Sequence, residues 1–193
     1  MSLAVFGYGS LVLAESASMT LGRTVAAPRP AALRGWRRRF SQCRDNLAVE
    51  KCFALADGSR PRWILGLNVE QGEDDAGPVN GALIQLEGQA ELDRLALREL
   101  RYLAVDVTAM VDVSGELPKR VFVFTARPEH HAPDAPDGAV ILATYARALE
   151  AAFTALGEGE LERFRETTGP YPVERVEATL VEDAIPEGNP RAW

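Results

Sequence analysis

The sequence predicts a single α+β domain, and three observations point to it. Apolar runs of strand length recur between Gly, Pro and Asp turn residues, most densely from Cys52 to Leu86. Two stretches, Gln89 to Leu100 and Ala139 to Leu156, repeat apolar residues at helical spacing. At 193 residues the chain can bury a sizeable core but is short for two independent domains, so 1–193 reads as one domain, elaborated from about residue 139.

Composition narrows the functional classes. The 21 Lys and Arg against 28 Asp and Glu leave a formal charge of −7 and a pI near 5.0, which argues against nucleic acid as the main partner. Cys43 and Cys52 are too few for a disulfide framework and lack metal-type spacing, so a reducing compartment fits. The leading apolar run has no basic start and breaks at Gly7-Tyr8-Gly9-Ser10, well short of a membrane-spanning length. These features predict a soluble cytoplasmic protein without a membrane partner; they leave the oligomeric state open.

Leu3 to Phe6 reads as a buried strand running into the loop Gly7-Tyr8-Gly9-Ser10-Leu11. Glycine permits φ > 0 and removes a side chain that would keep a ligand from the backbone N–H groups, so this is either an anion-holding loop or a tight turn. A mixed segment reaches Gly22, and Arg23 to Pro28 reads as a second strand. From Leu33 to Phe40, Leu33, Trp36 and Phe40 are available to the core, with Arg34, Arg37, Arg38 and Arg39 outward, as a solvated edge or a phosphate site.

Cys52 to Ala56, Trp63 to Val69 and Val79 to Leu86 read as an antiparallel meander, with Glu73-Asp74-Asp75 at a solvated loop tip. Tyr102 to Val113 and Lys119 to Thr125 are Val-rich strands. His130 and His131 lie in the following Pro- and Asp-rich loop, exposed or in a metal or catalytic role. Asp137 suits the N-cap of a helix from Ala139 to Leu156, with Leu142, Tyr145, Leu149, Ala152, Phe153 and Leu156 inward and Gly157 closing it. A short helix with Leu161 and Phe164, a strand from Val173 to Val181 and a tail from Pro186 to Trp193 complete the chain.

The helix from Gln89 carries a charge on the wrong side. At helical spacing Glu91, Arg94, Arg98 and Arg101 fall together, opposite an apolar arc of Leu92, Leu95, Ala96 and Leu100, and Glu99 lies inside that arc. A core-facing carboxylate must be paired, protonated or functional, because burying an unsatisfied charge is costly. Desolvation raises its pKa toward that of a general acid or base. The structural alternative is a Glu99 paired with an arginine such as Arg38.

Phe6-Gly7-Tyr8-Gly9-Ser10-Leu11, Leu33 to Phe40, Gly81-Ala82-Leu83-Ile84 and Glu99 three residues before Tyr102 together resemble the gamma-glutamylcyclotransferase-like family, including its ChaC-like branch. The resemblance implies a small mixed β-barrel flanked by helices, a loop that holds substrate by backbone groups, and one catalytic glutamate. Carried over, Glu99 is catalytic and Tyr8, Gly9, Ser10, Leu11, Tyr102 and Tyr145 contact substrate. The partner implied is a small γ-glutamyl compound that cyclises to 5-oxoproline, with no metal or other cofactor. Ala96 and Leu100 depart from the family's aspartate and glycine. A non-catalytic binding module on the same fold is the alternative. A dinucleotide site fails because Val12 occupies the third glycine position and Arg29 the acid's place. A serine hydrolase fails because Ser10 lacks the Gly-x-Ser-x-Gly elbow.

Overall fold

The computed structural model describes residues 2–48, 50–72, 77–186 and 189. Glu73-Asp74-Asp75 and most of the tail after Pro186 lie outside the described residues.

Strand β1 (Leu3–Gly7) leads through a 3-10 turn (Ser10–Val12) into helix α1 (Ala14–Leu21), closed by Gly22 in the left-handed conformation. Strands β2 (Arg29–Leu33), β3 (Trp36–Asp45), β4 (Lys51–Ala54), β5 (Trp63–Gln71) and β6 (Val79–Leu86) precede α2 (Gln89–Arg98). Then come β7 (Tyr102–Asp106), β8 (Val111–Val113), β9 (Arg120–Ala126), β10 (Ile141–Leu142), α3 (Ala143–Leu156), α4 (Glu160–Glu166), β11 (Arg175–Val176) and β12 (Thr179–Asp183).

β1 is buried along its whole length because it has a strand on either side and a packed layer over each face. Val5 stands opposite Ile84 of antiparallel β6 and opposite Phe122 of parallel β9. Its side chains alternate between two cores: Leu3 and Val5 meet Ala17, Leu92 and Leu95 of α1 and α2, while Ala4 and Phe6 join Phe40, Leu67, Leu149 and Phe153 of the β3–β5 hairpin and α3. The six-stranded sheet, in the order β7-β9-β1-β6-β2-β8, is therefore the middle layer, and its β1 end delivers the glycine loop.

The expectation of an α+β fold agrees with this architecture; the expectation of a closed β-barrel does not. Among the described residues the strands form one open sheet and three two-stranded ladders, β3-β5, β4-β12 and β10-β11. The hairpin strand β5 meets β9 through side chains instead of a shared amide ladder. Thr125 Oγ1 donates to the Val69 carbonyl at 2.6 Å, and the Ala126 N–H donates to Asn68 Oδ1 at 2.8 Å.

Several element expectations are corrected. The predicted meander is not one: β4 pairs with β12, β5 with β3, and β6 with β1 and β2. Residues 23–28 are not a strand, and the strand follows at Arg29 despite Pro30, which lies where β2 has β6 on one side and β8 does not yet reach. The helix predicted from Ala139 begins at Ala143 with Leu142, not Asp137, at its N-cap, because Ile141 and Leu142 first pair with Arg175 and Val176. The predicted strand from Val173 to Val181 is split into β11 and β12. Among the described residues no helix is long and apolar enough to cross a membrane.

Arg38, read from the sequence as outward, is fully buried, whereas Leu33, Trp36 and Phe40 are core as expected. Nη1 donates to the Asn80 carbonyl at 2.7 Å and the Tyr8 carbonyl at 3.4 Å. Nη2 donates to Asn80 Oδ1 at 2.7 Å, Thr167 Oγ1 at 2.9 Å and the Phe164 carbonyl at 3.1 Å, and Nε to Thr168 Oγ1 at 2.8 Å. The Phe164 and Phe153 rings lie 4.3 and 4.9 Å from the guanidinium. Burial pulls its pKa down to about 9, so it stays charged at neutral pH. This cation ties α4 and the sheet to the start of the glycine loop.

Candidate active site

The loop after β1 is shaped by close packing. Neither Gly7 nor Gly9 has positive φ, which corrects the expectation of a left-handed turn. A Cβ at Gly7 would lie 2.9 Å from Ile84 Cδ1 and 3.1 Å from Leu11 Cβ, and one at Gly81 would lie 2.2 Å from the Gly7 carbonyl oxygen. Gly9 has ordinary room, with Leu149 Cδ2 at 3.5 Å. The 3-10 turn begins with Val12 N–H to the Gly9 carbonyl at 3.1 Å and Leu13 N–H to the Ser10 carbonyl at 3.2 Å. The N–H groups of Ser10 and Leu11 precede the first of these bonds, as at any helix start.

Glu99 follows the last residue of α2 and caps it. Its N–H still bonds the Leu95 carbonyl at 2.8 Å, and its own carbonyl accepts from Tyr102 N–H at 2.8 Å. The buried side of the helix is Leu92, Leu95 and Arg98, while Ala96 and Leu100 are exposed. The apolar arc drawn from periodicity is thus wrong at two positions, and Arg98, expected outward, is inward. Glu99 is enclosed because the chain leaves the helix there and turns into β7.

Tyr8, Gly9, Ser10, Leu11, Glu99, Tyr102 and Tyr145, all singled out in the sequence, line one cleft, joined by Leu67 and Phe124. Tyr8 OH donates to the Phe124 carbonyl at 2.6 Å, Tyr102 OH donates to the Leu67 carbonyl at 2.8 Å, and Tyr145 OH accepts from the Leu67 N–H at 3.4 Å. The three tyrosines thus satisfy backbone groups on the facing edges of β5 and β9 that the open seam leaves without ladder partners. Burial pushes all three phenols up, Tyr145 to about 12 and the other two well above their ordinary value, so they remain protonated.

Burial also pushes the Glu99 carboxyl above the usual carboxylate range, and Arg98 opposes that rise. Arg98 Nε lies 3.1 Å from Glu99 Oε1, and the Glu99 side chain is one-fifth exposed. The partner foreseen as a structural alternative, Arg38, is engaged elsewhere. Sequence reasoning missed Arg98 as part of this site; its signal was an arginine three residues after Leu95 and six after Leu92, on the face those leucines bury.

His130 and His131 do not line the cleft. His131 is exposed, one of the two readings the sequence leaves open, and its Nε2 lies 2.9 Å from Glu70 Oε1, while Glu70 also accepts from Ser41 and from Arg37 Nη2 at 3.1 Å. Of the Arg34 to Arg39 stretch, none lines the cleft. Cys43 and Cys52 are buried and free, and among the described residues no group of three His, Cys, Asp or Glu side chains is placed to hold a metal.

No protein-family model and no curated protein sequence matches the chain. Solved structures do. A gamma-glutamyl cyclotransferase structure superposes with a TM-score of 0.58 over 92% of this chain and 95% of that one, at 15% identity. YkqA from Bacillus subtilis superposes with a TM-score of 0.57 at 19% identity, over 85% of this chain and 53% of YkqA. An uncharacterized protein from Homo sapiens gives a TM-score of 0.56 at 17% identity, over 91% and 94% of the two chains. Identities this low speak to fold, and function must be argued from the site. The chain has the gamma-glutamyl cyclotransferase-like fold.

Proposed function

We propose that the protein is a cofactor-independent γ-glutamyl cyclotransferase with Glu99 as general base and then general acid. The observation that supports this most is that the enclosed Glu99 carboxyl and the Tyr8 to Leu11 loop share one cleft.

The chemistry asks little beyond these groups. The α-ammonium of a γ-glutamyl compound gives a proton to the Glu99 carboxylate, and the freed amine attacks the γ-carbonyl carbon. The new C–N bond closes a five-membered lactam, the bond from the γ-carbon to the departing nitrogen breaks, and Glu99 returns the proton to that nitrogen, while the ring nitrogen sheds its second proton to the released amine, which leaves as an ammonium. The products are 5-oxoproline and an amine, amino acid or peptide. In water an α-amino group titrates near pH ~8 and a glutamate near ~4, so a raised Glu99 pKa narrows the mismatch. Nucleophile and electrophile belong to one molecule, and holding the folded conformer is worth up to ~7–11 kcal/mol in well-oriented systems.

In this reading, the N–H groups at the start of the 3-10 turn receive the substrate carboxylate or the developing oxyanion. Tyr8, Tyr102 and Tyr145 wall the cleft. The two free, buried cysteines fit a reducing, cytoplasmic setting, and the net charge of −7 fits a small-molecule substrate better than nucleic acid.

A second reading, a non-catalytic binding module, draws support from the Arg98–Glu99 ion pair, which can serve structure alone. The deciding experiment incubates purified protein with glutathione, γ-glutamyl dipeptides and γ-glutamyl amines and assays 5-oxoproline. Formation of 5-oxoproline, with a loss of about 10²- to 10⁴-fold in turnover but retained binding in Glu99→Gln, is expected of the enzyme. Binding without product from the wild type identifies the module. Equal turnover by Glu99→Gln removes Glu99 from the mechanism.

A further inference from the structure

Arg98 is the last residue of α2, and its side chain is 1% exposed. A guanidinium carries five N–H donors in a rigid fork, and here the fork reaches three parts of the molecule. Nη1 donates to the Ser16 carbonyl at 3.1 Å and to Thr20 Oγ1 at 2.5 Å, both on α1. Nη2 donates to Ser16 Oγ at 3.1 Å and to Ser10 Oγ, in the cleft-lining loop, at 3.0 Å. Nε faces Glu99 Oε1 at 3.1 Å.

The direction of these bonds fixes a polarity. A hydroxyl that accepts from a guanidinium keeps its own proton for another acceptor, so Ser10 offers the cleft an O–H donor. An ionised Glu99 offers only acceptors. Nη2 bonds Ser10 Oγ and Nε stands in ion-pair contact with Glu99 Oε1, so one cation touches both an acceptor and a donor of the cleft wall. An α-amino-acid head, with ammonium and carboxylate on one carbon, presents the complementary donor and acceptor, and Glu99 and Ser10 line the same cleft.

We propose that Arg98 is a positioning residue that holds the Glu99 carboxylate and the Ser10 hydroxyl in register, so that the site selects substrates with a free α-amino-acid head. The ammonium turns to Glu99 and the carboxylate to Ser10. This rests on the cyclotransferase reading of the cleft. Facing Glu99 are Arg98 from α2, Tyr8 from the loop, Tyr102 from β7 and Tyr145 from α3. Of these, Arg98 carries the positive charge, and the phenols are neutral; Arg38 stands behind Tyr8 on its carbonyl.

The experiment compares wild type, Arg98→Gln, Arg98→Lys and Ser10→Ala on two substrates across pH. One substrate is a γ-glutamyl amine; the other is the 4-aminobutanoyl amide that lacks the α-carboxylate and closes to 2-pyrrolidinone. A ¹³C NMR titration of the Glu99 carboxyl runs in parallel. Arg98→Gln is expected to move both the acid limb of the rate profile and the Glu99 midpoint up by about one pH unit. Arg98→Lys keeps the charge and restores the limb, but with fewer donors it leaves KM raised. Ser10→Ala leaves the limb in place and raises KM about tenfold for the γ-glutamyl amine alone, the worth of one hydrogen bond to a charged group.

A folded Arg98→Gln with an unmoved limb and midpoint overturns the proposal, as does a Ser10→Ala effect equal on both substrates. If Arg98→Gln does not fold, Arg98→Lys and Ser10→Ala carry the decision. If wild type forms no lactam from any substrate, the functional reading fails by itself, and the Glu99 midpoint still tests the tie to Arg98.

Discussion

Arg38 in the middle of β3 and Arg98 at the end of α2 are both buried, and they are bonded to different kinds of partner. Arg38 meets neutral acceptors, three carbonyls, one amide and two hydroxyls, together with two phenylalanine faces. Arg98 meets a carboxylate as well as one carbonyl and three hydroxyls, and through Glu99 and Ser10 it opens onto the cleft. A cation whose direct bonds all run to neutral acceptors, with the Glu160 carboxylate one step away on Asn80, joins elements. A cation beside a titratable group can follow a change of charge, and it stands where the chemistry is proposed. Both regions touch the same loop, Arg38 at the Tyr8 carbonyl and Arg98 at the Ser10 hydroxyl.

The largest expected effect tests the joining role. Arg38→Met strands buried carbonyls and the Asn80 amide oxygen, and should lower stability by about 3–5 kcal/mol in urea unfolding. The molecules that remain folded should keep the wild-type acid limb; a shifted limb would erase the distinction between the two arginines. Gly81→Ala comes next. Its Cβ would overlap the Gly7 carbonyl oxygen, and strain of about 1–3 kcal/mol or more should appear as a lowered melting temperature.

On the cleft side the effects should be smaller in stability and larger in kinetics. Tyr102→Phe leaves the Leu67 carbonyl without its donor and should cost about 1–3 kcal/mol, at the low end if solvent entering from the cleft replaces the hydroxyl. Gly9→Ala should change stability by no more than about 0.5 kcal/mol, because its Cβ meets only ordinary contacts, yet raise KM for a γ-glutamyl amine by crowding the loop amides. A Gly9→Ala protein that unfolds early but binds normally would place the loop on the joining side of the comparison.

Much of this was legible in the sequence, and what was not has physical reasons. The buried β1, the core roles of Leu33, Trp36 and Phe40, and the inward face of α3 follow from periodicity, which reports which side of an element is dry. Periodicity does not report partners. The strands after Cys52 read as neighbours because they are consecutive, but β4 finds its partner some 125 residues later in β12, and β3 reaches β5 across a register shift between Phe40 and Gln42. The two buried arginines read as outward because the pattern groups each with other charged residues; each is dry only because distant elements supply acceptors that no local window contains. Glu99 was found for a reason that holds only in part. It is enclosed, but the helix that was to place it has already ended.

The open seam between β5 and β9 carries one more consequence. A ladder of amides separates only when several bonds break together, whereas a hydroxyl can swing about its C–O bond and release one carbonyl at a time. The wall of the cleft is fastened in this second way, by Tyr8, Tyr102 and Thr125. The hairpin and the sheet are thus joined by separate side-chain bonds, whereas β1 and β6 behind them share a continuous ladder from Leu3–Leu86 to Gly7–Ala82.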